Sequence, residues 1–392
     1  MYYNQRLKIC HIGWATSIHV ERLMRWFAKK GHDISIITNN QKDIPGVKVL
    51  DIKRKPDNRP RWDRYKDLNF NIGWVQNIHQ IARIRKLVNK ISPDIVHSHS
   101  LWYPGYLGVY ISGYPFVVTV LNGDVLWTKK DIGRKLSIYE KYRTKKALRK
   151  ADLVTGESEV LINAAIKNGV SSNKVFVSKN YGVDLTKFNC NGNKTEIRRE
   201  ISLPVDCKIV LSPRNTGSFY NLDKIVKAIP MVINKAKNTY FVFIWHGHNS
   251  DKEKELTNLV SKLGVDENIK IVGFVNHDKV ALYHKASDVM VSVSKYDSGP
   301  VALQEAMACG DVPVISNLPS VREWVKDGWN GILVDPNNVD QIADSIIRLL
   351  ENDQMRESFA ERNWKLIREK GDQEYWMGKM EELYYQLIEE RQ

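Results

Sequence analysis

The chain has 392 residues, 43% of them hydrophobic and 10% aromatic, with 59 Lys/Arg against 45 Asp/Glu and a formal charge of +14. That length exceeds what one compact core accommodates and implies two domains, while the apolar fraction excludes an intrinsically disordered chain. No apolar run approaches the roughly 18–20 residues that span a bilayer, and the scattered Cys10, Cys190, Cys207 and Cys309 exclude a CxxC redox motif or a zinc module.

The N-terminal residues MYYNQRLKICHIG pass from a polar start directly into a strand at 8–13, with no signal-peptide apolar core. A cytoplasmic location with reduced thiols is therefore expected. Residues 19–30 carry apolar positions at helical spacing, with Thr16 and Ser17 placed to cap the helix and Gly31 to end it. Strands follow at 33–38, 94–98, 116–121, 153–156 and 175–178. The polar, Asn-rich segment 188–204 then reads as an interdomain connection. A second series of strands occupies 208–212, 240–245, 269–272, 289–292, 312–316 and 332–334. From 353 onward the chain is helical, and its last stretch, 375–388, is rich in large apolar residues. Strands alternating with helices in this way predict parallel α/β sheets covered on both faces.

Residues 297–310 read DSGPVALQEAMACG. Asp297 and Glu305 lie a little over two helical turns apart, so a helix between them places one acid at each end. Pro300 suits a first helical position and Gly310 a helix end. The unpaired amides of the first turn form a seat for phosphate, assisted by the helix dipole. Two carboxylates beside such a seat suit a polyhydroxylated phosphate ester, of which a nucleotide-sugar is the obvious candidate.

This segment resembles the acidic-x(7)-acidic signature of retaining glycosyltransferases of family 4. Glu305-Ala306-Met307-Ala308-Cys309-Gly310 fits fully, and Asp297 stands where the first Glu is usual. Other landmarks occur in the family's order: Gly31-His32-Asp33, Pro93-Asp94-Ile95-Val96-His97-Ser98-His99, Ala151-Asp152-Leu153-Val154, Tyr181-Gly182-Val183-Asp184 and Asp327-Gly328-Trp329-Asn330-Gly331. The resemblance implies the α/β GT-B fold, with two doubly wound Rossmann-like domains facing each other across a cleft. An acceptor-binding domain at 1–187, a linker at 188–205 and a donor-binding domain at 206–370 are expected. The C-terminal helix, 371–392, is expected to cross back onto the first domain.

By the same resemblance Arg214, Asp124, Asp297 and Glu305 carry the catalysis. Arg214 would hold the diphosphate, Asp297 the sugar hydroxyls and Glu305 the ribose. Donor contacts would come from Gly13, Trp14, Arg214, Asn215, Tyr220, Gly247, Val272, Phe274, Lys295, Ser298, Gly299, Pro300, Val301 and Glu305. The acceptor would meet His19, His99, Asn122 and Asp124. The chain departs from the pattern at Tyr220, where the family usually has Lys, and at Leu121, where it often has His. The Gly-Gly loop common after the first strand is also replaced, by Gly13-Trp14-Ala15-Thr16-Ser17. Either another cation, with Lys295 as the candidate, takes the place of the missing lysine, or leaving-group stabilisation is weaker.

A chain of this kind would be a metal-independent hexosyltransferase with no cofactor, since no Asp-x-Asp pair is present. The donor would be a nucleotide-sugar, with UDP favoured by family frequency. The acceptor would be a glycan or a lipid-linked species of polysaccharide biosynthesis. A nucleotide-sugar epimerase or hydrolase, or a non-catalytic binding protein, are the alternatives. Residues 206–350 hold 16 Lys/Arg against 17 Asp/Glu, so the positive excess lies outside the donor stretch. It gathers at Lys53, Arg54, Lys55, Arg59, Arg61 and Arg64, and along 129–150, where ten Lys/Arg face two acids. Such faces suit an anionic membrane surface, so peripheral association with the inner face of the cell membrane is expected. Neither cluster carries a nucleic-acid motif, and no nucleic-acid partner is expected. Nothing in the sequence indicates an oligomeric state.

Overall fold

The computed structural model describes residues 5–52, 72–126, 138–245 and 250–391. The chain divides into two compact units: unit 1 comprises Met1–Asn180 with Met377–Gln392, and unit 2 comprises Tyr181–Trp376. Unit 1 holds strands β1 (Lys8–Ile12), β2 (Asp33–Thr38), β3 (Val47–Asp51), β4 (Ile95–His99), β5 (Phe116–Val120), β6 (Leu153–Gly156) and β7 (Val175–Val177). They form one parallel sheet in the order β3-β2-β1-β4-β5-β6-β7. Unit 2 holds β8 (Lys208–Ser212), β9 (Thr239–Ile244), β10 (Ile269–Val272), β11 (Val289–Ser292), β12 (Val312–Ser316) and β13 (Ile332–Val334). Its parallel sheet runs β10-β9-β8-β11-β12-β13.

The strands are runs of Val, Ile and Phe because both sheet faces are covered, and every residue of β4, β5, β11 and β12 is buried. The covering helices are amphipathic. Ile18–Lys29 buries Val20, Leu23, Met24, Trp26 and Phe27. Lys30 caps it, and Gly31 follows at φ +94°.

A recurring aspartate sets strand register. Asp94 donates its amide to the Lys8 carbonyl (2.8 Å) and accepts the Lys8 amide on its carboxylate (2.7 Å). Asp152 does the same with Phe116 (2.8 and 2.8 Å), and Asp288 with Ile209 (2.9 and 2.7 Å). Each carboxylate thereby satisfies an amide at the start of the neighbouring strand: the first residue of β1 and of β5, and the second of β8.

The C-terminal helix Gln373–Glu389 lies largely in unit 1, where Tyr384 is fully buried. Tyr384 Oη hydrogen-bonds His97 Nδ1, His32 Nε2 bonds Glu381 Oε1 (2.7 Å), and Tyr385 Oη donates to the Gln5 carbonyl (2.6 Å). The crossing back expected from the resemblance is thus present, and its aromatics serve it.

Segment 188–205, expected as a linker, is instead a folded part of unit 2. Its polar residues satisfy backbone groups: Asn193 caps the helix Lys194–Glu200, and buried Arg198 donates to the carbonyls of Ala286, Val205 and Cys207 and to Asp288. The chain passes between the units at Asn180–Tyr181 and again at Trp376–Met377. Just inside unit 2 the two passages are clasped, with the Val183 amide donating to the Gly371 carbonyl (2.7 Å) and the Gln373 amide to the Val183 carbonyl (3.1 Å). Gly182 sits there at φ +72°, where a Cβ would come within 2.6 Å of the Asp372 backbone.

Candidate active site

In a doubly wound sheet, ligands bind beyond the carboxyl ends of the strands where the order reverses. In unit 2 that point lies between β8 and β11. Arg214 stands just past β8, and its Nε donates to Ser292 Oγ at the end of β11 (2.8 Å). Its Nη2 donates to Asp297 Oδ2 (2.8 Å), with the two side chains only 11% and 13% exposed. Asp297 is itself fixed: Gly299 N donates to Oδ1 (3.3 Å) and Ser320 Oγ to the Asp297 carbonyl (2.6 Å). Two bonds orient the guanidinium and leave donors of its five-hydrogen fork for a ligand.

Tyr220 stacks on this group, with the guanidinium carbon 5.4 Å from its ring centre. It keeps the arginine in place without adding charge. Lys295 is exposed, and its amide donates to the Phe219 carbonyl (2.8 Å), which ties the two loops of the site together. Asn215 Oδ1 accepts from Gly217 N (2.9 Å), so this side chain shapes the turn. The Val272 carbonyl accepts from Trp245 N (2.9 Å), and Phe274, just beyond it, is 83% exposed. Gly247 lies outside the described residues.

The helix Val301–Ala308 leads away from Asp297. Pro300 is its N-cap, with extended ψ of 105°, and not its first helical residue as expected. The Pro300 carbonyl already accepts from Leu303 N (3.1 Å), so Val301 and Ala302 are the first-turn amides, with Ser298 and Gly299 just before them. Amides in this position have no intrahelical acceptor and suit phosphate oxygens. Glu305 is 5% exposed, and its Oε1 lies 2.6 Å from His277 Nε2. Sequence reading missed His277. Asn276 before it is an N-cap residue and marks the start of the helix His277–Ala286, but nothing local shows that the histidine meets Glu305.

Unit 1 has its own switch point, between β1 and β4. Gly13 follows β1, and a Cβ there would lie 3.0 Å from that of His99. Trp14, beside it, is half-buried, as is His19 on the next helix. His99, expected to meet the acceptor, is the last residue of β4. It is buried, its Nε2 is 2.9 Å from His11 Nδ1, and it packs on His97. Burial pushes His11 down to about 3 and holds His97 and His99 well below the usual imidazole range, so all three are neutral. One ring nitrogen from each of the three lies within 4.8 Å of the others, the one metal-capable grouping among the described residues. Both nitrogens of His97 are engaged, however, one by Tyr384 and the other by Thr119 Oγ1 (2.7 Å).

Asp124, expected to meet the acceptor or donor sugar, is buried and organises its own loop. Oδ1 accepts from Ser100 Oγ (3.0 Å) and Leu101 N (2.9 Å), and Oδ2 from Leu121 N (2.8 Å). Burial raises its carboxyl to about 6 despite these bonds. Asn122 begins the short helix Asn122–Val125 that carries it.

Two Rossmann-like units in series, the second with an arginine–aspartate pair at its switch point, define a glycosyltransferase of the GT-B fold. Residues 193–365 match the family described as Glycosyl transferases group 1 and residues 16–187 the one described as Glycosyltransferase Family 4. The chain belongs to the family-4 glycosyltransferases. An uncharacterized glycosyltransferase of Methanocaldococcus jannaschii, MJ1607, is 25% identical over 393 residues, covering 93% of this chain and 94% of the relative. The Escherichia coli UDP-Gal:alpha-D-GlcNAc-diphosphoundecaprenol alpha-1,3-galactosyltransferase is 26% identical over 298 residues, covering 72% of this chain and 73% of the relative. Among solved structures, Anabaena Alr3699/HepE in complex with UDP-glucose superposes with a TM-score of 0.78 at 16% identity, covering 97% of this chain and 100% of that one.

Proposed function

We propose that the chain transfers a sugar from a UDP-sugar to a hydroxyl of a glycan or lipid-linked acceptor, with retention of anomeric configuration and without a divalent metal. The observation that carries this reading is the Arg214–Asp297 pair beside the first turn of Val301–Ala308, with Glu305 further along the same helix. Arg214 and the first-turn amides offset the diphosphate charge, Asp297 meets sugar hydroxyls and Glu305 the ribose. The acceptor hydroxyl attacks C1 on the face the diphosphate leaves. The C1–O bond to phosphate breaks as the new glycosidic bond forms, and the hydroxyl proton passes to the departing phosphate oxygen. The protein contributes position and electrostatic stabilisation. The relative acting on a diphosphoundecaprenol-linked sugar and the UDP-glucose complex of HepE support the donor and acceptor classes.

No helix among the described residues is long and apolar enough to cross a membrane. Peripheral association at the inner face of the cell membrane would bring the enzyme to a lipid-linked acceptor. The described part of the basic stretch supports it: Ile138–Lys150 exposes Lys141, Tyr142, Lys145, Lys146 and Arg149. The cluster at 53–64 and residues 129–137 lie outside the described residues.

The test is a thermal-shift screen of UDP-, GDP- and ADP-sugars, because a ligand that binds the folded state alone raises the melting temperature. A UDP-sugar is expected to stabilise the protein, and NMR of the product should show the donor's anomeric configuration. No shift with any nucleotide-sugar, or an inverted product, overturns the reading.

A further inference from the structure

The donor-site reading leaves open what orients Glu305. Its side chain is 5% exposed, so bulk water does not hold it, and a misdirected carboxylate in a buried setting gives a ligand little. An ionised carboxylate only accepts hydrogen bonds, so His277 Nε2, 2.6 Å from Oε1, must carry the hydrogen and donate it. His277 is held in turn. Its ring packs on that of Phe188, with centroids 5.3 Å apart, and Phe188 is 1% exposed. The next residue, Asp278, is ion-paired with Lys187, and Lys285 on the same helix donates to Asn189 Oδ1 (2.9 Å). The helix His277–Ala286 is thus fastened to residues 187–189 at both ends, through Asp278 in its first turn and Lys285 in its last, and His277 projects from the first turn to Glu305.

We propose that His277 is a positioning residue for nucleotide recognition, fixing the Glu305 carboxylate in the one orientation that meets the ribose 2′- and 3′-hydroxyls. This rests on the donor-site reading given above. It assigns His277 an effect confined to ribose recognition. The diphosphate end of the ligand, held by Arg214, is untouched by its loss.

The test is calorimetric binding of UDP and of its 2′,3′-dideoxy analogue to the full chain, with the GDP pair in parallel. Wild type should prefer the ribonucleotide by at least about tenfold, the value of one charged hydrogen bond. Glu305→Ala should abolish the preference, and His277→Ala should reduce it to below about threefold. His277→Gln, whose amide nitrogen can replace Nε2, should keep most of it. His277→Ala added to Glu305→Ala should change nothing further. If His277→Ala fails to fold, His277→Asn, whose shorter amide stops short of Glu305, replaces it. Full preference in the His277 variant, with loss in Glu305→Ala, overturns the positioning role and leaves the donor site standing. Wild type that binds neither nucleotide, or binds both analogues equally, overturns the donor-site reading itself.

Discussion

Replacing Arg214 by alanine tests the diphosphate seat without knowledge of the acceptor. The guanidinium is tied by Nε to Ser292 and by Nη2 to Asp297, which leaves one or two charge-assisted hydrogen bonds for a phosphate. Such bonds contribute about 1.5–3 kcal/mol each, so the loss of one corresponds to roughly 10- to 150-fold in affinity. Removal also leaves Asp297, 13% exposed, without its counter-ion and facing the ligand. That repulsion adds to the loss. The effect should fall on the second phosphate, so the informative quantity is the ratio of UDP to UMP affinity, measured calorimetrically. Arg214→Ala should lower that ratio at least about tenfold and slow UDP-sugar turnover further, because leaving-group charge is greatest in the transition state. A folded Arg214→Ala variant with an unchanged UDP-to-UMP ratio would refute the assignment.

Three further outcomes are expected. Turnover of the nucleotide-sugar should persist in excess EDTA, and complete loss with recovery on adding manganese would show a metal-dependent reaction. Acid should destabilise the fold through His11. With its folded value near 3 and its unfolded value near 6.5, the unfolded chain binds more protons, and about 2 kcal/mol is lost between pH 7 and pH 5. Asp124, raised to about 6, acts in the opposite sense, since its protonated folded form gains stability as pH falls through 6. Urea unfolding of His11→Asn, which keeps a hydrogen-bonding group near the Nδ1 position, should therefore show a flatter pH dependence than wild type; an identical slope would contradict the neutral buried histidine. In flotation assays the chain should bind anionic but not neutral vesicles, and weaken between 50 and 500 mM salt as screening shortens by roughly threefold. Equal binding to neutral vesicles would point away from the basic face.

Most of the scaffold was legible because each buried parallel strand is a short apolar run and each covering helix has its own period. The exceptions are instructive. β3 (VKVLD) alternates too briefly to stand out, and the helix Ile72–Ile91 was passed over although its periodicity is present. The segment 188–205 looked like a linker because its polar residues resemble solvated ones, whereas Asn193 and Arg198 satisfy backbone groups. At the site, Arg214, Asp297 and Glu305 were readable from motif and position. Their partners were not: Ser292, Ser320 and His277 are brought in by tertiary packing, which leaves no trace in spacing. The loop bonds of Asp124 were hidden for the complementary reason, since an acid in a loop after a strand looks the same in sequence whether or not it accepts from its own amides.

The aspartate clasps at Asp94, Asp152 and Asp288 give each sheet a fixed origin from which distance along a strand is counted. From Asp288 the chain runs straight to Ser292, the residue that receives Arg214 Nε. One residue inserted in that span would advance the strand by about 3.3 Å and turn its side chains to the opposite face, parting Ser292 from the arginine. The same insertion between Val293 and Tyr296 would leave the measured portion intact and alter only the reach of the loop toward Asp297. Length variation should therefore be tolerated beyond the strand ends and rejected before them, so that such enzymes can diversify what they hold while their ruler stays unchanged.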